Sequence, residues 1–353
     1  MKIKRPLILK VMVTIMVVVF LIATSLVMDW MIHYRIPITF SSDGLQRSIA
    51  DHLDIEPSMI TRHAIKELTY LDATGQDIRF LDGLQHAIHL ETLILTDNFI
   101  ADVSPLSALD KLHTLHLRNN EIVDLLDIRF DQITHLEIKD LSLRHNVVRP
   151  VSGGQIRLSD LSLLSSMTSL TILELRDNHI SDLTFLSTLD QLTYLDIREN
   201  RLTDITPLQY LHQLKHLNMR DNQVEDLEPL VNLIHLEYLN IHTNPTIKSI
   251  QPIGSLVNLH TMIMAEVPFN EEYDVLGGFI RLVRLNIRNT DMSDASILAK
   301  LMSLGALQDD ADRNIQANLD LRETPVLDRN DDHLDIIRPY WQNISQRQPE
   351  MLP

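Results

Sequence analysis

The sequence contains no cysteine. That excludes a disulfide framework, a thiolate metal site, a thiol nucleophile and lipid attachment at cysteine. An exported protein tolerates the absence when a long repeat core replaces the cross-links that small secreted domains need. No glycine-rich phosphate loop follows a strand, and no Gly-x-Ser-x-Gly elbow occurs. None of the 16 histidines makes a His-x-x-x-His pair with a nearby glutamate on a helix, so a zinc hydrolase has no support. The stretch Asp310-x-Asp312-x-Asn314 starts like a calcium loop, but Ile315 stands where glycine is needed and no glutamate closes it. The expectation is a non-enzyme without metal or cofactor. Positive charge is also scarce. With 31 basic and 48 acidic residues the net charge is −17, which argues against nucleic acid as a partner.

No acidic residue precedes Asp29, whereas Lys2, Lys4, Arg5 and Lys10 all precede Val11. The remainder therefore holds 27 basic and 48 acidic residues, a net of −21. Residues 11–28 carry no charge, and 7–9 extend the run. Such a segment can cross a bilayer core of about 30 Å as a helix. The basic flank places its amino end in the cytoplasm and the rest outside, with Trp30 and Tyr34 at interfacial positions. The expectation is a single-pass anchor over residues 7–28. A cleaved signal peptide is the competing reading, with Ala23-Thr24-Ser25 as a small-residue cleavage site. Cleavage would make the protein secreted.

The chain then repeats in steps of 22. Leu173-x-Leu175-x-x-Asn178-x-Ile180 is followed by Leu195-x-Ile197-x-x-Asn200-x-Leu202, then Leu217-x-Met219-x-x-Asn222-x-Val224 and Leu239-x-Ile241-x-x-Asn244. No such unit buries its own apolar face, so each must stack on its neighbours. Units centred on Leu71, Leu93 and Leu115 keep the same period. The step to Leu141 lengthens to 26 residues and the next, to Leu173, to 32; the ten extra residues of the second step fall in a loop at 149–159 with a turn at Gly153-Gly154. Past Asn244 the period loosens, Val267 and Thr290 replace the asparagine, and a final strand lies at Leu319-x-Leu321. Eleven parallel strands at about 4.8 Å spacing give a sheet roughly 48 Å long. The Asn98 to Asn244 ladder reads as structural, because a buried amide needs its partners inside the fold. The recurring aspartates, Asp102, Asp182, Asp204 and Asp226 among them, read as turn and capping groups. Ser104-Pro105 and Thr206-Pro207 resemble an N-cap followed by proline in the first helical turn.

Before the repeats, Ser42 or Asp43 can cap a helix with Leu45, Ile49 and Leu53 on one face, and Thr61 a second short turn. After them, 294–304 reads as a helix stopped by Gly305, and 331–347 as a closing helix interrupted at Pro339. The expected division is an anchor over 1–34, a helical cap over 35–67, repeats over 68–328 and a terminal cap over 329–353.

The N-terminal segment, the repeats at Leu71-Asp72-Ala73 and Leu93-Ile94-Leu95, and the motif Asp102-Val103-Ser104-Pro105-Leu106 resemble the cap and repeats of the internalin family, bacterial leucine-rich repeat proteins with 22-residue units. The likeness covers roughly residues 41–330. It implies an α/β solenoid: a leucine-rich repeat horseshoe with a parallel concave β-sheet, closed by helical N-terminal and C-terminal caps. It also implies a bacterial cell surface.

The residue after each Leu-x-Leu faces the open side of the sheet. Seven of these eleven are arginine: Arg118, Arg144, Arg176, Arg198, Arg220, Arg288 and Arg322, with His242 in the same column. Glu174 and Asp196 occupy the middle strand position, and Tyr194, His216 and Tyr238 begin neighbouring strands. Arginine grips carboxylates and phosphates in two-pronged fashion, and aromatics beside arginines are characteristic of interface anchors. Aromatics also stack on sugars. The candidate ligand-binding set is therefore Arg118, Arg144, Glu174, Arg176, Tyr194, Asp196, Arg198, His216, Arg220, Tyr238 and His242. The expected partner is a protein or glycan at the cell surface. The bland reading is a ladder copied by repeat duplication, whose adjacent carboxylates only neutralise it. Two functions follow: an anchored extracytoplasmic binding module, or a scaffold of the cell envelope with no external ligand. Oligomeric state is not encoded in any of these features.

Overall fold

A computed structural model describes residues 5–122, 161–312, 314, 316–328 and 337, with short strands at 140–142, 147–148 and 156–157. Eleven parallel strands form one sheet. They are β1 (Tyr70–Asp72), β2 (Thr92–Ile94), β3 (Thr114–His116), β4 (Asp140–Ser142), β7 (Ile172–Glu174), β8 (Tyr194–Asp196), β9 (His216–Asn218), β10 (Tyr238–Asn240), β11 (Thr261–Ile263), β12 (Arg284–Asn286) and β13 (Asn318–Asp320). The expected solenoid with its concave parallel sheet is the observed fold. The register never slips: Leu71 lies opposite Leu93, Leu195 opposite Leu217, and Leu285 opposite Leu319. Each strand other than β4 has one fully buried leucine or methionine at its centre, and a slip of one residue would turn it out to water. A fully buried leucine contributes about 2 kcal/mol, so many identical coils are needed to offset the cost of ordering the chain.

The asparagine ladder joins one coil to the next. Asn200 Nδ2 donates to the carbonyls of Leu175 (3.0 Å), Ile197 (2.9 Å) and Arg198 (3.2 Å). Its Oδ1 accepts from the amides of Asn178 (3.1 Å) and Ile180 (2.9 Å). Asn98, Asn120, Asn222 and Asn244 likewise donate to carbonyls of their own coil and the preceding one. Past Asn244 the substitute is different. Thr290 Oγ1 donates to the Ile287 carbonyl at 2.7 Å, and the Asp291 carboxylate accepts from the amides of Phe269 and Asn270 at 2.7 and 3.0 Å.

The return side of each coil is a short 3-10 turn, such as Ser104–Ala108, Thr184–Thr188 and Thr206–Tyr210. A 22-residue coil leaves too few residues there for an α-helix. The expected Ser104 and Thr206 N-caps are not the capping groups. The aspartate two residues earlier accepts the amide instead: Asp102 from Ser104, Asp182 from Thr184 and Asp204 from Thr206, each at 2.8 Å. Ser104 and Thr206 already lie inside their turns, and the carboxylate reaches the free amide of the first turn residue.

At the amino end, α1 (Arg5–Tyr34) is followed by α2 (Asp43–Leu53), which buries Leu45 and Ile49 as expected, with Leu53 half-buried. Ser42 precedes α2 but does not cap it. Its Oγ accepts from the amides of Arg79 and Phe80 at 3.2 and 3.0 Å, which ties the cap to the first coil. Thr61 Oγ1 does accept from the Ala64 amide at 3.2 Å. Gly44 explains a glycine in a helix: a Cβ there would stand 1.9 Å from the Gln76 carbonyl oxygen. The helix can lie against the first coil only because that side chain is missing.

The extra chain between Leu141 and Leu173 is more than a loop. Its ends, β5 (Val147–Val148) and β6 (Ile156–Arg157), pair antiparallel, Val148 opposite Ile156. At the carboxyl end α3 (Ser296–Ser303) buries Leu298, Leu301 and Met302, with Asp294 accepting from the Ser296 amide. Gly305 follows with φ +95, the left-handed stop expected of it. A short α4 (Pro325–Asp328) comes next. The closing helix expected over 331–347 lies outside the described residues apart from Ile337, which is buried.

Candidate functional site

Three rows of side chains cross the open face of the sheet. The first row holds the residues that begin the strands. Tyr194, His216 and Tyr238 lie in register on β8, β9 and β10. Their rings form one stack: Tyr194 to His216 at 4.2 Å between centroids and 14° between planes, His216 to Tyr238 at 3.9 Å and 6°. Strands about 4.8 Å apart bring flat side chains close to stacking distance. Both faces of His216 are therefore covered by tyrosine rings. Burial, with the nearby Arg198 charge added, lowers the imidazole to about 4. Burial and the neighbouring Asp196 and Glu174 carboxylates raise the Tyr194 hydroxyl to about 12. Burial also raises Tyr238. At neutral pH the stack is uncharged.

The middle row closes each strand. Asp196, Asn218, Asn240, Asn286 and Asp320 accept the amide of the residue two further on, at 3.0–3.4 Å. This is an Asx turn repeated from coil to coil. Asp196 has no solvent exposure, and its Oδ2 lies 3.0 Å from Arg198 Nε. An enclosed carboxylate cannot itself meet a ligand. Its part is to hold Arg198, so its place among the expected contact residues is corrected to a supporting one. Glu174 is half-buried in the same row.

The third row is the basic ladder, and Arg176, Arg198, Arg220, His242, Arg288 and Arg322 meet carboxylates of the same chain. Arg176 Nη2 lies 2.8 Å from Glu199, Arg220 Nε 2.9 Å from Asp221, and Arg288 Nη2 3.2 Å from Glu323. Arg322 holds Asp320 with two contacts at 2.7 and 3.0 Å. Burial opposes ionisation of Asp320, but the Arg322 hydrogen bonds outweigh it and keep the carboxyl below its usual range. His242 lies 3.6 Å from Glu266. Arg118 is exposed, and Arg144 lies outside the described residues.

The acidic column beside the ladder has a backbone explanation that sequence reasoning missed. Asp97, Asp177, Glu199, Asp221, Thr243, Glu266 and Glu323 all have φ between 53 and 63, the left-handed turn that ends each strand. Aspartate and asparagine suit that conformation; glutamate and threonine do not. The three glutamates each reach back to the basic residue of the preceding coil: Glu199 to Arg176, Glu266 to His242 and Glu323 to Arg288. Aspartate is a methylene shorter, and Asp221 pairs with its own neighbour Arg220. Lining up the columns would have revealed the signal, since each long acid stands 23, 24 or 35 residues after its basic partner, one place past the basic column of the next coil, where Arg198, Ala265 and Arg322 stand.

A family model described as leucine-rich repeats (2 copies) matches residues 88–130, 168–210, 190–232 and 212–255. The crystal structure of internalin C2 from Listeria monocytogenes is similar with a TM-score of 0.56 and 27% identity, covering 62% of this chain and 92% of that one. The chain carries leucine-rich repeats and is similar to the internalins. A Leptospira interrogans leucine-rich repeat protein shares the fold, with a TM-score of 0.62 and 19% identity over 82% of this chain and 74% of that one. The human leucine-rich repeat and IQ domain-containing protein 3 is 28% identical over 117 residues, 33% of this chain and only 17% of the human protein's length. The matched repeats include β8 to β10, so the aromatic stack sits on the repeat framework itself.

The stack has a measurable consequence. His216 carries a folded value near 4 against an ordinary 6.5. Between those values the unfolded chain binds more protons, so stability rises with pH there. The contribution of neutral His216 is complete above about 6.5 and is lost as pH falls toward 4. A His216→Phe variant keeps the stack but cannot titrate. Its melting temperature should fall less steeply than the parent's between pH 6.5 and 4; equal slopes would assign the acid sensitivity to other groups.

Proposed function

We propose that the chain is a membrane-anchored, extracytoplasmic binding protein that receives a protein partner on its concave face, over Tyr194, His216 and Tyr238 and the adjoining Arg176, Arg198, Arg220 and His242. The observation that carries this reading is the uncharged aromatic stack set beside a row of half-exposed arginines. Interface anchors are drawn from tyrosine and arginine, and a desolvated centre with a charged margin is how tight interfaces are built. The stack favours protein over glycan. A sugar ring packs on an open aromatic face, and His216 has none. Besides the outer face of each terminal tyrosine, the stack offers a row of ring edges and two phenol hydroxyls, which suit peptide groups and apolar side chains. Among the described residues one helical stretch, Val13–Met31, is long and apolar enough to cross a membrane, which supports the anchor.

The envelope-scaffold reading has its own support, because Arg176, Arg198 and Arg220 already meet carboxylates of this chain. A capture experiment separates the two. Detergent-solubilised full-length protein is immobilised and offered envelope extract, host-type surface proteins and a glycan panel. Tyr194→Ala with Tyr238→Ala is expected to weaken retention of a protein ligand about a hundredfold, some 2.7 kcal/mol. Circular dichroism must show the variant folded. A ligand held equally by parent and variant would put binding elsewhere; no ligand for either would favour the scaffold.

A further inference from the structure

The join between α1 and the cap is unusually short. Arg35 and Ile36 amides both donate to the Met31 carbonyl, closing the helix end at 2.8 and 2.9 Å. Pro37 already pairs with Thr61, and the Ile38 amide donates to the Ile60 carbonyl at 2.7 Å. Phe40 is buried and the Ser41 amide donates to Asp82 at 3.0 Å, so the chain is stitched to the cap from Pro37 onward. Only Arg35 and Ile36 lie between helix and cap. Three Cα steps from Tyr34 to Pro37 reach at most about 11 Å. The helix itself runs only about 4.5 Å past Met31. Each headgroup layer is about 5–8 Å thick. If Val13–Met31 spans the bilayer, the cap begins at headgroup depth.

The side chains at that join suit such a place. Ile36 is 49% exposed and Met59, beside the stitched segment, is 63% exposed. Arg35 lies over the Trp30 ring, 5.3 Å from its centroid. Arg62, opposite Ile36 in the Pro37–Thr61 pairing, is exposed. Isolated exposed apolar residues are ordinary on a soluble surface. Here they lie at the short join that follows a membrane-length helix, alongside cations able to meet lipid phosphates.

We propose that the N-terminal cap docks on the lipid surface, Ile36 and Met59 entering the headgroup layer and Arg35 and Arg62 meeting lipid phosphates, so that the repeat body is mounted on the bilayer without a flexible linker. This rests on the anchor reading above. It limits what the concave face can reach. The aromatic stack begins five strands after β1, about 24 Å along the sheet, so its partner must come to the membrane surface.

The absence of cysteine makes the test direct. Full-length chain with a single Ser58→Cys, Val18→Cys or Gln223→Cys is spin-labelled and reconstituted in vesicles of phosphatidylcholine and phosphatidylglycerol. The Ser58 label is expected to be several-fold less accessible to a water-soluble relaxation agent than the Gln223 label, and Ile36→Asp with Met59→Asp is expected to remove the difference. A Ser58 label as accessible as Gln223, with Val18 at lipid depth, overturns docking and leaves the anchor standing. The same holds for protection that survives the double substitution, which would reflect tethering alone. A Val18 label that is aqueous, or lost from mature protein by cleavage, overturns the anchor and docking together.

Discussion

Asn200→Ala is expected to lower the unfolding free energy by about 3–5 kcal/mol, since buried groups left without partners cost about 1–3 kcal/mol each. The side chain makes five hydrogen bonds, to three carbonyls and two amides on two coils. Alanine leaves those groups facing a cavity in the dry interior, where water reaches them only by opening the turn. Thr290→Ala is the matched control, because Thr290 holds the same column with one described side-chain bond, to Ile287. It should cost about 1 kcal/mol. Urea denaturation gives the comparison, and hydrogen exchange shows where it acts. In a repeat array the loss should concentrate on the coils either side of Asn200, since each coil touches only its neighbours. Equal costs at the two positions would mean that leucine packing, and not the amide ladder, joins the coils.

Arg198→Gln is expected to cost about 3 kcal/mol, within the range for removing one partner of a buried ion pair. The substitution removes the positive charge 3.0 Å from a carboxylate with no solvent exposure. The neighbouring coils point to the rescue. Asn218 and Asn240 stand in the Asp196 column and accept the same strand-ending amide. Asp196→Asn should therefore be well tolerated and should recover most of the loss when combined with Arg198→Gln, giving a clear coupling in a double-mutant cycle. Losing the nearby cation should also move His216 upward from about 4, readable by NMR titration. Additive costs would show that Arg198 and Asp196 act independently. For binding studies this makes Arg198 a poor site for charge reversal, because a folding defect would pass for lost affinity; Arg176 and Arg220, paired with partly exposed acids, are better.

Much of the fold was readable from the 22-residue period. Leu173, Leu195, Leu217 and Leu239 had to share a buried row, and Asn178 to Asn244 had to share a turn, because equal spacing puts residues at equivalent places in stacked coils. The same logic put Tyr194, His216 and Tyr238 in one row. It went astray where a local choice competes with a neighbour one or two residues away. Ser104 looked like the cap, but Asp102 has the reach. Ser42 looked like the cap of α2, but the first coil claims its hydroxyl. The loop at 149–159 had no period to betray the pairing of Val147–Val148 with Ile156–Arg157.

By itself, then, the sequence determined the solenoid, the membership of each row and the chemical character of the open face, because periodic placement needs only counting along the chain. Tertiary structure alone decided which arginine meets which acid, that Asp196 is enclosed, that His216 is covered on both faces, and that two residues separate α1 from its cap. Those features depend on lateral distances of a few ångströms between residues about 22 apart, and on which of two nearby groups reaches a shared partner first.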